Sequence, residues 1–344
     1  MDLEMTTSTY YVDTTDFPIN ETLHVQHVDS ISNVERIFIA TAFFAMAIVG
    51  IVGNIFVILA VMFSRKLQTS MNVLVVSLSV ADLLACLTYP FQGLQIVFLA
   101  TWSCFPVTII DSSSLGCSLV TVTFIAVNRY ILITKPRKFY QWSFAPYKMA
   151  VMVGASWLIA PILMIISSQR VCGVYIIKHS VPELSWLVPI LLITSLVTIL
   201  TCYILLFLHI KRHVARSMVS TPGSRRLDID ITKNLLIVIC GFYACVLPYT
   251  AIVVIAKSSA NPSAFNTVVV FFIVVLHLNS VINPIIYAAR HPIFKPVFGC
   301  MITGRYSQIP EPSGILKSLV KDAGKSRLSD KTGNTSRGTE SEYV

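Results

Sequence analysis

Residues 104–130 read CFPVTIIDSSSLGCSLVTVTFIAVNRY, and this stretch decides the fold. Wound as an α-helix at about 100° per residue, it puts Cys104, Asp111, Ser118 and Arg129 on one narrow face. Asp111 and Arg129 are then about 27 Å apart along the axis, at 1.5 Å per residue. A bilayer's hydrocarbon core is about 30 Å thick. One apolar helix therefore carries an acid near one membrane surface and a base near the other, both facing the same way. Ionisable groups at such depth are tolerated where they face a protein interior or a water-filled cavity. The plainer reading, side chains snorkelling from the helix ends, suits Asp111 better than Arg129.

The rest of the chain fits a membrane-spanning helix. It is 344 residues long, 55% hydrophobic and only 12% charged, with a mean hydropathy of +0.73. A soluble domain carries about twice that charge. Seven apolar segments of spanning length follow one another at 36–63, 71–98, 104–134, 147–168, 183–211, 231–256 and 265–288. Of 26 Lys and Arg, only Arg36, Arg170, Lys178 and Lys257 fall outside the segments assigned to the cytoplasmic side. That bias predicts an extracellular N-terminus and a cytoplasmic C-terminus in a multi-pass protein of the plasma membrane. The net charge of +9 reads as topology and attraction to anionic inner-leaflet lipid, with no nucleic-acid partner.

Three regions result. Residues 1–35 form an acidic extracellular tail without Lys or Arg, expected to be disordered. No signal-peptide pattern precedes the first span. The tail carries a glycosylation sequon at Asn20, and Tyr10 and Tyr11 stand among acids as a sulfation candidate. Residues 36–301 hold the spans and a short amphipathic segment, HPIFKPVFGCM (291–301), expected along the inner interface with Cys300 open to palmitoylation. Residues 302–344, rich in Ser, Thr, Lys and Gly, are expected to be a disordered cytoplasmic tail.

Polar residues inside the spans are the functional candidates. Asn54, Asp82, Ser118, Asn279, Ser280 and Asn283 sit where lipid rejects them. Ser and Asn often join helices by hydrogen bonds, but a buried Asp needs a proton or a cation. Ser118, Asn279, Ser280 and Asn283 could complete an oxygen set for Na⁺ around Asp82. Pro90, Pro161, Pro189, Pro248 and Pro284 free carbonyls and kink their helices, as in a bundle that moves. Cys104 and Cys172 both face the oxidising side, which permits a disulfide. Cys86, Cys117, Cys202, Cys240 and Cys245 read as small apolar core residues.

These motifs come in a fixed order: GN with Asn54, LSVAD with Asp82, Trp102 and Cys104, Asn128-Arg129-Tyr130, Trp157, Cys172, Pro189, FYACVLP at 242–248, NPIIY at 283–287 and Phe294. Over about residues 33–301 the chain resembles the class A (rhodopsin-like) G-protein-coupled receptors. The resemblance implies an all-α seven-transmembrane bundle with a short eighth helix, not an enzyme. It implies that Arg129 meets a heterotrimeric G protein once helix six swings out. By the same resemblance Asp228 lies where the family often has an acid that holds that Arg at rest, and Asn283, Pro284 and Tyr287 would belong to a helix-seven switch. Asp82, Ser118, Asn279, Ser280 and Asn283 become an allosteric sodium pocket, with no other cofactor. Asp111 becomes the anchor of a ligand pocket shared with His277, Ser114, Leu115, Ser185 and Tyr249.

Departures from the family pattern matter. Asn128 replaces the usual acid, which is the pattern of melatonin receptors, though those usually carry NAxxY rather than NPIIY. Val246 replaces the Trp two residues before Pro248. Val197 stands where helix five often has a Tyr that helps hold the active state. Together these predict raised basal activity.

An Asp at the depth of Asp111 pairs with amines and basic peptides in such receptors, so the expected ligand is cationic. A self-satisfied Asp111–His277 pair is the competing reading. Val181 and Ser185 offer little for a catechol. HPIFKPVF after NPIIY is similar to opsins, but helix seven has no Schiff-base Lys, so no retinal is expected. Other readings are a receptor for a lipid or neutral ligand with high basal activity, a non-signalling scavenger, and a transporter without visible repeats. No HExxH, GxSxG or clustered metal ligands support an enzyme. Ser326, Ser329, Thr332, Thr335, Ser336, Thr339 and Ser341 suit phosphorylation and arrestin. Glu342-Tyr343-Val344 is a weak PDZ-binding end.

Overall fold

The computed structural model describes residues 32–98, 104–167, 187–214, 223–258 and 266–321. Asn20, Trp102, Cys172, Ser185 and the tail beyond Lys321 lie outside the described residues, as do the side chains of Cys104 and Asp228. The elements are helical: α1 (Asn33–Phe63), α2 (Ser70–Phe98), α3 (Cys104–Thr134), α4 (Arg137–Ser143), α5 (Pro146–Ser167), α6 (Leu187–Val214), α7 (Gly223–Ser258), α8 (Asn266–His277), α9 (Asn279–Arg290) and α10 (Phe294–Ile302). Among the described residues, six stretches are long and apolar enough to cross a membrane: Asn33–Phe63, Ser70–Phe98, Pro106–Thr134, Pro189–Arg212, Ile229–Ile255 and Val268–Arg290. The 22-residue α5 packs on α3 and α2 and completes the seven-helix bundle.

α1 opens with a reciprocal cap: the Ser32 hydroxyl accepts from Glu35 N, and the Glu35 carboxylate accepts from Ser32 N at 2.7 Å. α3 is the central element and touches α2, α5, α6 and α7, while α9 closes the ring against α1 and α7. Outward faces are apolar: Phe38, Ile48, Ile193 and Phe207 are exposed because lipid, not water, is their solvent. Cys86, Cys117 and Cys245 are buried as expected, but Cys240 points outward, because it lies on the lipid side of α7. Two glycines set the α1 approach. A Cβ on Gly50 would overlap Cys86 Sγ, and one on Gly53 would stand 2.8 Å from Pro284 Cβ.

The last span is not one continuous helix. It breaks at Leu278, where Val281 N turns to Leu278 O and leaves the His277 carbonyl without its helical donor. Tyr89 OH supplies the donor instead, at 3.0 Å. Pro284 has no N–H and so frees the Ser280 carbonyl one turn back. Asn54 Nδ2 fills that vacancy from α1, at 3.0 Å.

The tail corrects the expectation of disorder from residue 302. α10 ends in a Schellman turn with Gly304 at φ 68°; Arg305 N bonds Cys300 O at 2.8 Å and Gly304 N bonds Met301 O at 3.2 Å. The chain then returns to the loop after α1. Ser64 Oγ donates to Pro310 O (2.7 Å), Arg65 N to Glu311 O (2.8 Å) and Ser313 N to Phe63 O (2.8 Å). Ser64 and Pro312 form an antiparallel bridge, Tyr306 packs edge-on against Phe63, and Ile309 and Leu316 are buried. Residues 314–321 are helical, here α11, with the Ser313 hydroxyl capping Leu316 N. Composition hid this order, because it rests on backbone bonds and two buried apolar side chains, with Ser313 buried beside them, rather than on an apolar run.

Candidate functional site

Three polar layers lie along α3. At the first, Asp111 Oδ2 is 3.1 Å from His277 Nε2. His277 Nδ1 is 2.6 Å from the Ile273 carbonyl. A carbonyl only accepts, so Nδ1 carries a hydrogen, and Nε2 facing a carboxylate requires a second proton between them. With that proton the Asp111–His277 unit is net neutral. Tyr89 and Phe43 wall the imidazole edge-on, with centroids at 5.0 and 5.1 Å. Ser114 is buried and Leu115 half-buried on the same helix, one turn further along. Tyr249 on α7 lies within electrostatic reach of Asp111.

The second layer centres on Asp82, which is fully buried. Asn283 Nδ2 donates to its Oδ2 at 2.8 Å and Ser118 Oγ to its Oδ1 at 3.2 Å, with Ser280 beside it. α2, α3 and α9 thus converge on one carboxylate. Asn279 is buried with both amide atoms lacking a hydrogen-bond partner among the described residues, as is Asn54 Oδ1. Trp157 Nε1 donates to Ser77 Oγ at 3.0 Å and ties α5 to α2 nearby.

The third layer holds Asn128 and Arg129, both buried, with Tyr130 half-buried beside them. The Asn128 amide and the hydroxyls of Tyr203 and Tyr287 have no hydrogen-bond partner among the described residues. Tyr203 and Tyr287 lie within electrostatic reach of Arg129. Tyr287 stacks on Phe294, with centroids 5.3 Å apart, so the end of α9 is seated on α10. His291 is buried between these helices, and its Nδ1 accepts from Ile293 N and Phe294 N, each at 3.3 Å. Burial, and secondarily the Arg129 charge, hold its pKa down to about 3.

Two features escaped the sequence reading. Val197 does not occupy the tyrosine position of helix five: it is exposed on the outer face, while Tyr203 faces Arg129. Counting back from the basic run at Lys211-Arg212 would have found Tyr203. The second feature is a clasp. Tyr243 OH on α7 donates to Ser195 Oγ on α6 at 2.8 Å, and Ser195 is hydrogen-bonded to Thr123 on α3. Val246, three residues further along α7, is buried and fills the place of the missing Trp with aliphatic packing.

A family model described as 7 transmembrane receptor (rhodopsin family) matches residues 53–287. The G-protein coupled receptor moody of Drosophila melanogaster is 24% identical over 380 aligned positions, covering 87% of this chain and 55% of its own length. The chain thus spans about half the length of that relative. Somatostatin receptor type 5 of Rattus norvegicus is 25% identical over 281 positions, 76% of this chain and 77% of its own. Among solved structures, squid rhodopsin superposes with a TM-score of 0.68 at 16% identity, covering 85% of this chain and 92% of that one; this likeness is one of fold. With more than half of its length under one family model, the chain belongs to the rhodopsin family of seven-transmembrane receptors.

Proposed function

We propose that the chain is a cell-surface receptor that takes a ligand at the Asp111 end of the bundle and activates a heterotrimeric G protein at the Arg129 end. The observation that carries this is the single helix α3, which holds an ionisable group at each end with a buried polar layer between. The bias of Lys and Arg supports placing Asp111 outside and Arg129 inside. Asn128, Arg129, Tyr130, Tyr287 and Asp228 belong to the G-protein end of this reading, with Tyr203 added.

The ligand class we favour is a cation, an amine or a basic peptide, bound at Asp111. The neutral Asp111–His277 unit sharpens that reading. A cationic ligand would compete with the imidazole of His277 for the Asp111 carboxylate. The same pair supports a second reading, because Asp111 is already satisfied and a neutral or lipid ligand would not disturb it. The test is G-protein activation in cells, screening amines and short basic peptides on wild type and Asp111→Asn at matched surface expression. A response lost in the variant supports the cation; a response that survives sinks it in favour of the second reading. A receptor that recruits no G protein under any agonist would be a scavenger.

Asp82 suits an allosteric sodium ion. A fully buried carboxylate with two neutral donors, and an unpartnered buried amide on Asn279, form an oxygen-rich, electrically incomplete set. Asp82, Ser118, Asn279, Ser280 and Asn283 would hold the ion, which would balance the Asp82 charge. Further partners in this reading are membrane lipid around Cys300, whose thiol is half-exposed on α10 and suits palmitoylation, and arrestin and a PDZ protein on the tail beyond Lys321.

A further inference from the structure

We propose that residues 302–321, clipped to the loop after α1, form a second docking surface for anionic phospholipid, beyond α10. The clip fixes where this segment stands. Its bonds run to Phe63, Ser64 and Arg65, the last residues of a spanning helix and the start of its loop, and its other end continues α10. Both anchors are membrane-proximal, so the segment lies against the bilayer face.

Its surface suits that place. Ile302 is 72% exposed, and Tyr306, Ile315, Leu319 and Val320 are also exposed, although Ile309 and Leu316 bury inward. On α11 the apolar residues cover a wide arc: Ile315 and Leu319 flank one side of buried Leu316 and Val320 the other, and Lys317 and Lys321 follow on the Val320 side. The clip thus uses only the middle of an apolar face. A groove of about 250 Å³ opens here, lined by Tyr306, Pro312, Leu316 and Val320 together with Lys317 and Lys321. An apolar floor with two cations matches a phospholipid, phosphate on the lysines and glycerol or acyl carbon on the floor; a free anion would leave the floor unused.

Charge complementarity is one-sided. Arg65, Lys66, Lys295, Arg305, Lys317 and Lys321 are exposed around the clip, and Glu311 is the one acid among residues 63–68 and 294–321. Two short elements each too small to hold a membrane would act together, because a polybasic patch and an interfacial helix add their affinities.

The experiment is hydrogen–deuterium exchange on the full receptor in nanodiscs of phosphatidylcholine alone and with phosphatidylserine added. Both faces of a nanodisc carry the same lipid, so the result does not depend on which side the tail faces. Exchange over 314–321 should slow about fivefold or more with phosphatidylserine, each engaged lysine contributing about fivefold. Lys317→Gln/Lys321→Gln should abolish that slowing while keeping the lipid-independent protection of the clip at 305–313. Should the double variant lose the clip, Leu319→Ser, whose side chain is exposed, carries the test with the same expected loss. Equal exchange in both lipids overturns the proposal. So does protection that appears only when G protein or arrestin is added, which would make the face a protein interface.

Discussion

Tyr243→Phe is the sharpest single test of how this bundle is restrained. The clasp from Tyr243 to Ser195 to Thr123 ties α7 to α6 and α3. In the receptor family the helix corresponding to α7 swings outward at the Arg129 end on activation, so a bond across it opposes activation. The substitution deletes one hydroxyl and leaves Ser195 paired with Thr123, so no buried group is orphaned. Its cost is then the net value of one hydrogen bond, about 0.6 kcal/mol between membrane helices and at most about 1.5 kcal/mol. Divided by RT, that raises the ratio of open to closed receptor about threefold to twelvefold. Basal G-protein activation without ligand, read by energy transfer between G-protein subunits at matched surface expression, should rise by that factor. Ser195→Ala removes both bonds and should raise it further; adding Thr123→Ala to it should change little, because the three residues act as one unit. A Tyr243→Phe receptor whose basal signal equals or falls below wild type refutes the clasp as a restraint.

Other perturbations check other contacts. Gly50→Ala forces a Cβ into Cys86 Sγ and should cost about 1–3 kcal/mol, read as a lowered thermal midpoint of purified receptor. Adding Cys86→Ala removes the overlap, leaving residue 86 Cβ at 3.3 Å and Val281 Cγ2 at 3.4 Å, and should restore most of the loss; no restoration would mean the helices meet elsewhere. Tyr203→Phe removes a hydroxyl without a hydrogen-bond partner among the described residues, so stability should hold within about 0.5 kcal/mol while G-protein activation falls. Unchanged activation would remove Tyr203 from the switch. His291 is held neutral by burial down to about pH 3, whereas the unfolded imidazole takes its proton near pH 6.5. Stability is therefore lost as pH falls below about 6.5, by up to about 1.4 kcal/mol per unit. His291→Asn keeps an acceptor for Ile293 N and Phe294 N without the proton. Thermal melts at pH 7.5 and 5.5 should therefore converge for the variant and diverge for wild type; equal divergence would clear His291.

What the sequence makes legible follows from the solvent. Lipid demands long apolar helices and rejects stray polar groups, so the spans and the set Asp82, Ser118 and Asn283 stand out in a single chain. Asp111 and His277 lie 166 positions apart, and their pairing at 3.1 Å was one of two open alternatives until the bundle closed. The break at Leu278 carries no proline or glycine; it exists because Tyr89 on another helix rewards the freed carbonyl. The ordered tail was illegible for a similar reason: Ser64, Arg65 and Phe63, far away in sequence, supply its bonds. Tyr203 went unnoticed because its role rests on nearness to Arg129, a residue of another helix. Each miss is a contact between distant segments, which local composition does not encode.

The geometry also says which element feels the Asp111 site first. The carbonyls of His277 and Ser280, on either side of the break at Leu278, are both held by side chains from other helices, Tyr89 on α2 and Asn54 on α1. Asn283, one turn further, is bonded to Asp82. The joint between α8 and α9 is thus pinned at three successive points, while the imidazole of His277 reaches across to Asp111 on α3. Two described ties of α7 lie deeper in the bundle: the Tyr243 clasp to α6 and the bond from Asn234 Nδ2 to the Arg290 carbonyl on α9. A ligand that takes Asp111 from His277 would therefore act directly on the α8–α9 joint, and would meet α7 at Tyr249. With Val in place of Trp at position 246, Tyr249 is the ring α7 offers near Asp111, while the hydrogen bond from His277 makes the α8–α9 joint the element tied directly to Asp111.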